Sequence, residues 1–211
     1  MGFRPLRPLK SALRTDIDDR FWAAAELWLS TGQSVYRRYV TPHFAKLSFS
    51  LFERKDPSAL GMTDLWWPAT HRLGEDELTP QISAKLIKRA DFLREKVAQS
   101  GYRLANHRFV WGSNKMIAEE GITLVFAHRL TGNPAYLHAA VAQVDYLFGR
   151  NHFNQTFVTG VGTRPVRHIA HIFARTKIVD IPGLAVGGPN DLAQCNLAPK
   201  HQGPLRYIDH N

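Results

Sequence analysis

Apolar residues recur with helical periodicity along the first two thirds of the chain. The clearest example lies between Thr79 and Gly101, where Thr79-Pro80 offers an N-cap residue followed by proline at the first helical position. After it, apolar residues follow one another at three- and four-residue spacing, namely Ile82, Leu86, Ala90, Leu93 and Val97. This spacing places them on one face of a helix. The pattern predicts a helix that ends at Ser100-Gly101 and buries that face.

Two further helices are predicted before this one. Acidic residues stand in the first turn of Asp18–Leu29, where they suit the helix dipole, and alanines fill its interior. Gly32 follows as a left-handed cap. A second helix begins near Ser34 and stops or kinks at Thr41-Pro42, because proline has no backbone donor.

Two more helices are predicted after Gly101. One runs from about Ser113 to Thr131-Gly132, and Asn133-Pro134 then starts the next, which extends towards Gly149. The apolar positions of this last helix are Leu137, Val141, Val144 and Phe148. A helix, a Thr-Gly turn and a second helix thus occur twice, which is typical of stacked helical hairpins. No convincing strand pairs occur, and from Asn151 onward the chain is rich in glycine, proline and histidine. The prediction is an all-α chain with a long loop region at its end.

Composition limits the class of protein. The 211 residues suit one domain or a large piece of one, and 44% apolar residues suit a packed core. The single cysteine, Cys195, excludes an intramolecular disulfide framework. The net charge of +9 would suit an anionic partner such as nucleic acid. The basic residues are scattered, however, so a solvated basic surface is the simpler interpretation and nucleic-acid binding an alternative.

Targeting signals are not evident. Met1–Lys10 lacks the continuous apolar stretch of a secretory signal, and no segment reaches the ~18 apolar residues that a membrane span needs. The sequence therefore predicts no membrane association and leaves the localisation open.

Few residues suggest chemistry by themselves. His168 and His171 are spaced to meet on one helix or turn, but no third zinc ligand stands at a standard distance. The glycines of Gly160–Gly162 and Gly187-Gly188 lack the Lys and Ser/Thr of a phosphate-binding loop, so they are interpreted as turn residues. The pair Trp66-Trp67 is interpreted as core rather than as a sugar platform.

A family resemblance adds what these patterns lack. Its blocks are Trp22–Leu27, Phe109–Asn114, Leu130–Gly132, Tyr146–Asn151, Phe157–Gly162 and Pro182–Asn190. In this order and spacing they resemble the catalytic domain of glycoside hydrolase family 9, the inverting cellulases and related β-glycanases. The resemblance runs from about Asp19 to Asn211, with a loose patch between about Tyr39 and Gln81.

The resemblance implies a fold and a domain organisation. The expected architecture is a partial (α/α)6 toroid of helical hairpins with a long Gly/Pro/His-rich loop region at the C-terminus. Residues 1–211 would form a single partial catalytic domain, with hairpins over about 16–150 and a loop-rich active-site segment over about 151–211. We expect such a partial toroid to expose apolar faces, and therefore to aggregate, to dimerise or to pack loosely.

The resemblance also implies a chemistry. Inverting glycosidases use a carboxylic acid and a carboxylate about 6.5–9.5 Å apart, one protonating the leaving oxygen and the other activating water. The family's base lies in an Asp-Ala-Gly-Asp motif that this sequence lacks. Its acid motif begins at Tyr207-Ile208-Asp209, and the glutamate would stand about nine residues after Asp209. We therefore expect a cellulase-type hydrolase of β-1,4-glucan whose 211 residues alone are inactive; the alternative is a non-catalytic carbohydrate-binding remnant.

The substrate contacts implied by the resemblance are Trp111, Arg164, His168, His171 and Tyr207, with His171 and Asp209 as weak catalytic candidates. The family's Pro-His-His-Arg cluster falls, without gaps, on Ile169–Ile172, so only its second histidine, His171, is retained. His168 would have to shift by one position to replace the first.

The expected partner is β-1,4-glucan or a cello-oligosaccharide, and no cofactor is required. The family often binds structural calcium, for which Asp180 and Asp191 are candidates by residue type alone. No metal ligands are predicted. Family members are usually exported.

Overall fold

A computed structural model describes residues 16–50, 56–68, 77–110, 112–167, 169 and 181–189 of the chain. These residues form six helices and no strand: α1 (Ile17–Thr31), α2 (Ser34–Phe44), α3 (Ser58–Pro68), α4 (Leu78–Gln99), α5 (Ser113–Thr131) and α6 (Pro134–Leu147). The all-α prediction is confirmed. The chain divides into two compact units, Met1–Thr79 and Pro80–Asn211. No helix within the described ranges is long and apolar enough to cross a membrane.

In the first unit, α1 packs against both α2 and α3. The helix ends as predicted: Gly32 has φ 68° and its N–H donates to the carbonyl of Trp28 at 2.8 Å. This left-handed cap satisfies one of the last free carbonyls and turns the chain into α2. The buried side chains of this unit include Phe21, Ala25, Val40, Phe44 and Met62.

The sequence predicted that α2 stops or kinks at Thr41-Pro42; the helix does not stop there but continues to Phe44. Proline at position 42 has no N–H to donate to the carbonyl of Arg38, so one helical hydrogen bond cannot form. The next turn survives because Phe44 is buried. Packing of one aromatic ring therefore outweighs one lost hydrogen bond.

Helix α3 was not predicted. The backbone N–H of Ser58 donates to a carboxylate oxygen of Asp56 at 3.0 Å, which closes the turn at its start. Its glycine, Gly61, lies against α1, because a Cβ at this position would be only 3.0 Å from the Cα of Trp22. Trp66 is buried and packs edge-on against Trp67, as expected of core residues.

Helix α4, most of which lies in the second unit, begins at Leu78, one residue before the predicted cap, and its predicted apolar stripe is 0–3% exposed. Helix α5 has the predicted bounds, and Gly132 caps it with φ 69°. Only Gly132 and Asn133 join α5 to α6. The Asn133 side chain accepts from the N–H of Ala135 at 3.0 Å, which starts α6 as predicted.

The α5–α6 hairpin packs through small residues. A Cβ on Gly121 would lie 3.5 Å from Cβ of Gln143 and 3.9 Å from the carbonyl oxygen of Ala140. A buried cluster joins this hairpin to α4 and the loop after it, namely Ala90, Leu93, Val97, Ala105, Leu124, Ala127, Tyr136, Ala139 and Ala140. The alanines allow close approach of the helix backbones.

The larger apolar residues of α6 lie outside this core. Leu137, Val141, Val144 and Phe148 are 38–50% exposed. The buried residues of the helix are Tyr136, Ala139, Ala140, Ala142, Gln143 and Tyr146. The stripe that marks α6 in the sequence is therefore its exposed face.

Candidate substrate-binding loops

The loop region begins where α6 ends, and Asn151 organises its first turn. The buried Asn151 side chain donates to the carbonyls of Tyr146 and Gln155, each at 2.8 Å. Its amide oxygen accepts from the N–H of Phe153 at 3.0 Å. One asparagine thus joins the last turn of α6 to the start of the loop.

The next segment folds back on itself and carries Arg164. The N–H of Thr156 donates to the carbonyl of Arg164 at 2.9 Å, and the N–H of Val166 donates to Thr156 at 3.0 Å. Gly162 has φ 79°, and a Cβ there would be 2.6 Å from Oγ1 of Thr156. Only glycine fits this bend, so the Arg164 backbone is held firmly while its side chain is exposed.

Thr159 ties this loop to the Pro182-Gly183 turn. Its hydroxyl donates to the carbonyl of Ile181 at 2.6 Å and accepts from the N–H of Leu184 at 3.0 Å. Its backbone pairs with Leu184 and Gly183 at 3.0 and 2.8 Å. The hydroxyl thus supplies hydrogen-bond partners to partly buried backbone groups that lie outside any helix.

The loop then returns to the first turn of α5. The N–H of Asn114 donates to the carbonyl of Gly187 at 3.0 Å, and its side-chain amide donates to Val186 at 3.0 Å. The Ser113 hydroxyl donates to the carbonyl of Pro189 at 2.5 Å. The start of α5 and the end of α6 therefore anchor the same loop system.

A second buried cluster lies under these loops: Leu104, Ile117, Tyr146, Phe157, Val166 and Val186. Phe109 and Ile169 pack against it. Phe109 stands two residues before Trp111, and Ile169 directly follows His168. Phe109 and Ile169, each within two residues of a predicted sugar contact, thus pack on one cluster.

Of the predicted site residues, only Arg164 falls among the described residues. Trp111, His168, His171, Tyr207 and Asp209 lie outside them, so their roles stay predictions. The calcium candidates Asp180 and Asp191 also lie outside them. Across the described parts of the chain, no three His, Cys, Asp or Glu side chains are grouped to hold a metal ion.

A buried carboxylate cluster on α5 was not predicted. Glu119 pairs with Lys115 at 2.5 Å, and Glu120 lies 3.9 Å from the Arg89 guanidinium of α4. Oε2 of Glu120 is buried and accepts no hydrogen bond from any residue that the structure describes. Burial raises the pKa of Glu120 to about 7, the negative charge of Glu119 adds to the rise, and Arg89 and Arg108 oppose it. The sequence signal for this cluster was a pair of adjacent glutamates between the apolar positions Ile117 and Leu124.

Two aromatic side chains near the loops also have altered pKa values. Tyr146 is fully buried, and its burial, with a smaller contribution from Tyr102, raises the pKa of its phenol. Burial lowers the pKa of His152, whose ring contacts that of Phe153 in a tilted arrangement with 3.9 Å between centroids. Both groups are therefore neutral near pH 7.

The loop system and the hairpin that anchors it correspond to the blocks that carry the family resemblance. The sequence profile of Glycosyl hydrolase family 9 matches residues 10–211, nearly the whole chain. The chain belongs to glycoside hydrolase family 9.

The names of similar proteins are consistent with this family assignment. The chain is 29% identical to a cellulose 1,4-beta-cellobiosidase from Acetivibrio thermocellus, over 92% of this chain and 25% of the relative. It is 30% identical to a xyloglucan-specific endo-beta-1,4-glucanase from Bacteroides ovatus, over 82% of this chain and 31% of the relative. The chain therefore spans about a quarter to a third of the length of these relatives.

A solved structure supports the fold directly. The crystal structure of a metagenome-derived family 9 endoglucanase superimposes with a TM-score of 0.82 and 36% identity. The superposition covers 94% of this chain and 36% of that one. The predicted fold class, helical hairpins of a partial (α/α)6 toroid, is confirmed.

Proposed function

We propose that this chain is part of the catalytic domain of an inverting hydrolase that cleaves β-1,4-glucan. The observation that carries the proposal is the family match over residues 10–211. The names of the relatives support a β-1,4-linked glucan as substrate, because one acts on cellulose and another is an endo-β-1,4-glucanase.

The loops after α6 would contribute substrate contacts rather than reacting carboxylates. The exposed guanidinium of Arg164 sits on a backbone fixed by Thr156 and Gly162. A charged donor on such a backbone can bind sugar hydroxyls without a further loss of backbone entropy. Trp111 and His171 would add a stacking surface and a hydrogen bond.

The 211 residues alone would not complete the reaction. Inversion needs a general acid and a general base on opposite faces of the sugar. The sequence contains no Asp-Ala-Gly-Asp motif for the base, and the acid motif is represented only by its opening, Tyr207-Ile208-Asp209. The proposed contribution of this chain is thus binding and orientation of the glucan.

The test compares the chain with a completed domain. Segments of a family 9 endoglucanase that contain the aspartate pair and the glutamate are joined before and after this chain. The chain alone is expected to release no reducing sugar from carboxymethylcellulose. The chimera is expected to release it, with the α-anomer seen first by NMR. Turnover by the chain alone, or a folded chimera without activity, contradicts the proposal.

A second candidate function is non-catalytic carbohydrate binding. It is favoured by one observation, that Ala170 and Ile172 stand where the family has its first sugar-binding histidine and its arginine. A folded chimera that binds cello-oligosaccharide but hydrolyses nothing would support this candidate over the first.

A further inference from the structure

The segment between α4 and α5 has a backbone conformation that its residues do not favour by themselves. Arg103 has φ 56°, a left-handed conformation that residues other than glycine rarely adopt. Such a conformation persists where the surrounding structure holds it. Ser100 supplies part of this hold, because its carbonyl accepts from the Arg103 N–H at 2.9 Å and its Oγ accepts from the Leu104 N–H at 3.1 Å.

Gln143 of α6 holds the same segment from the opposite side. Its Nε2 donates to the carbonyl of Arg103 at 3.0 Å, and its Oε1 accepts from the N–H of Ala105 at 3.0 Å. Nε2 also donates to the carbonyl of Ala139, in the preceding turn of α6, at 2.9 Å. The amide thus uses both of its donor hydrogens and its acceptor oxygen.

The surroundings of Gln143 make it a rigid anchor. Its side chain is 1% exposed, and it packs against α5, where a Cβ on Gly121 would lie 3.5 Å from its own Cβ. A buried amide costs free energy unless it is hydrogen-bonded, so an apolar residue of the same size would serve better for helix packing alone. The bonds to the backbone of Arg103 and Ala105 therefore explain why a glutamine stands at this position.

The segment that Gln143 holds leads to the substrate-binding loops. Leu104 belongs to the buried cluster beneath these loops, and Phe109 packs against the same cluster. Trp111, a predicted sugar contact, follows Phe109 by two residues. The side chains of His107 and Arg108, between the two apolar anchors, are exposed. Since a misplacement of about 1 Å can weaken the action of a binding site strongly, the path of this segment matters for the sugar.

We propose that Gln143 is a positioning residue for glucan binding. It fixes the backbone from Arg103 to Val110, and thereby the approach to Trp111, without touching the sugar itself. The inference rests on the proposed function of this chain, because it assigns Gln143 a role in glucan binding. Its effect on the segment, however, can be measured without any sugar.

Hydrogen–deuterium exchange of the whole chain provides that measurement. Gln143→Met keeps the length of the side chain and removes its three hydrogen bonds. We expect exchange at the Ala105 amide to become faster by at least about tenfold. Tyr136→Phe is the matched control, because it removes one hydrogen bond of the same helix, from the Tyr136 hydroxyl to Asp91 of α4 at 2.7 Å. It should leave the exchange at Ala105 unchanged.

Titration with cellopentaose, followed by tryptophan fluorescence, measures the effect on binding. Gln143→Met is expected to weaken binding by at least about fivefold, whereas Tyr136→Phe should retain the affinity of the wild type. Circular dichroism confirms that each variant is folded. Unchanged exchange or affinity in Gln143→Met, or an equal loss of affinity in both variants, would overturn the proposal. A wild type that binds no cellopentaose, with the exchange result as expected, would instead contradict the proposed function.

Gln143→Glu adds a rescue that depends on pH. Its carboxylate can still accept from Ala105, but it can donate to the Arg103 carbonyl only when it is protonated. Burial raises the pKa of a carboxyl group. The affinity of this variant relative to the wild type should therefore recover as the pH falls towards about 5. A relative affinity that is equally low at every pH would contradict the assigned hydrogen bonds.

Discussion

Glu120 shows how burial determines the protonation of a single side chain in this fold. Its carboxyl is buried between α5 and α4, with one oxygen lacking a hydrogen-bond donor and Arg89 3.9 Å from the other. Its pKa of about 7 lies above the ordinary value of 4.5, so the fold prefers the protonated form. The stabilisation is complete below pH 4.5 and is lost as the pH rises towards 7.

Glu120→Gln should therefore stabilise the chain at high pH. A pKa shift of this size lowers the free energy of unfolding of the wild type by about 3 kcal/mol at pH 8. The glutamine avoids this loss because its side chain is neutral at every pH. The measurement is urea unfolding at pH 4.5 and pH 8. Near pH 4.5 the variant should resemble the wild type.

The control for this substitution is Glu95→Gln, at an exposed position of α4. It should give no comparable gain at pH 8. An equal gain from both variants would mean that net charge, rather than the burial of Glu120, determines the pH dependence.

At the scale of helices, the sequence predicted where a helix ends better than it predicted which face of the helix is buried. Gly32 and Gly132 were recognised because a left-handed residue after a periodic segment is a local requirement. Helix α3 was missed because its apolar residues follow no clear period. The exposure of Val141 and Val144 could not be predicted, since periodicity identifies a stripe but not whether a neighbour covers it.

Two glycines inside helices should respond to alanine with opposite signs. At Gly121 the new Cβ would meet Cβ of Gln143 at 3.5 Å, an ordinary contact. Gly121→Ala should therefore stabilise the chain by up to about 1 kcal/mol through helix propensity. At Gly61 the Cβ would be 3.0 Å from the Cα of Trp22 and 3.1 Å from the Phe21 ring.

We expect Gly61→Ala to destabilise the chain by about 1–3 kcal/mol, because α1 and α3 would have to separate. Thermal unfolding of the two variants beside the wild type provides the measurement. If both substitutions shift the midpoint in the same direction, these helices do not pack as described here.

At the scale of the whole molecule, family and fold class followed from the sequence, whereas the site followed only in part. The blocks Phe157–Gly162 and Pro182–Asn190 indicated the family because their glycines are required by backbone geometry. The structure shows that geometry at Gly160 and Gly162, which both have a positive φ and leave no room for a Cβ. The buried hydrogen bonds of Asn151 and Asn114 were not predicted, because the sequence does not indicate to which carbonyls a loop asparagine will donate. The sugar-binding roles of Trp111, His168 and His171 stay predictions.

Recognition of β-1,4-glucan by these loops can be tested by titrating the chain with cellopentaose. The five tryptophans supply a fluorescence signal, and maltopentaose, with α-1,4 links, is the control sugar. We predict a saturable change with cellopentaose alone, weakened several-fold by Arg164→Ala but not by Arg38→Ala at an exposed position of α2. An unchanged spectrum at millimolar cellopentaose, or equal responses to the two sugars, would contradict the claim.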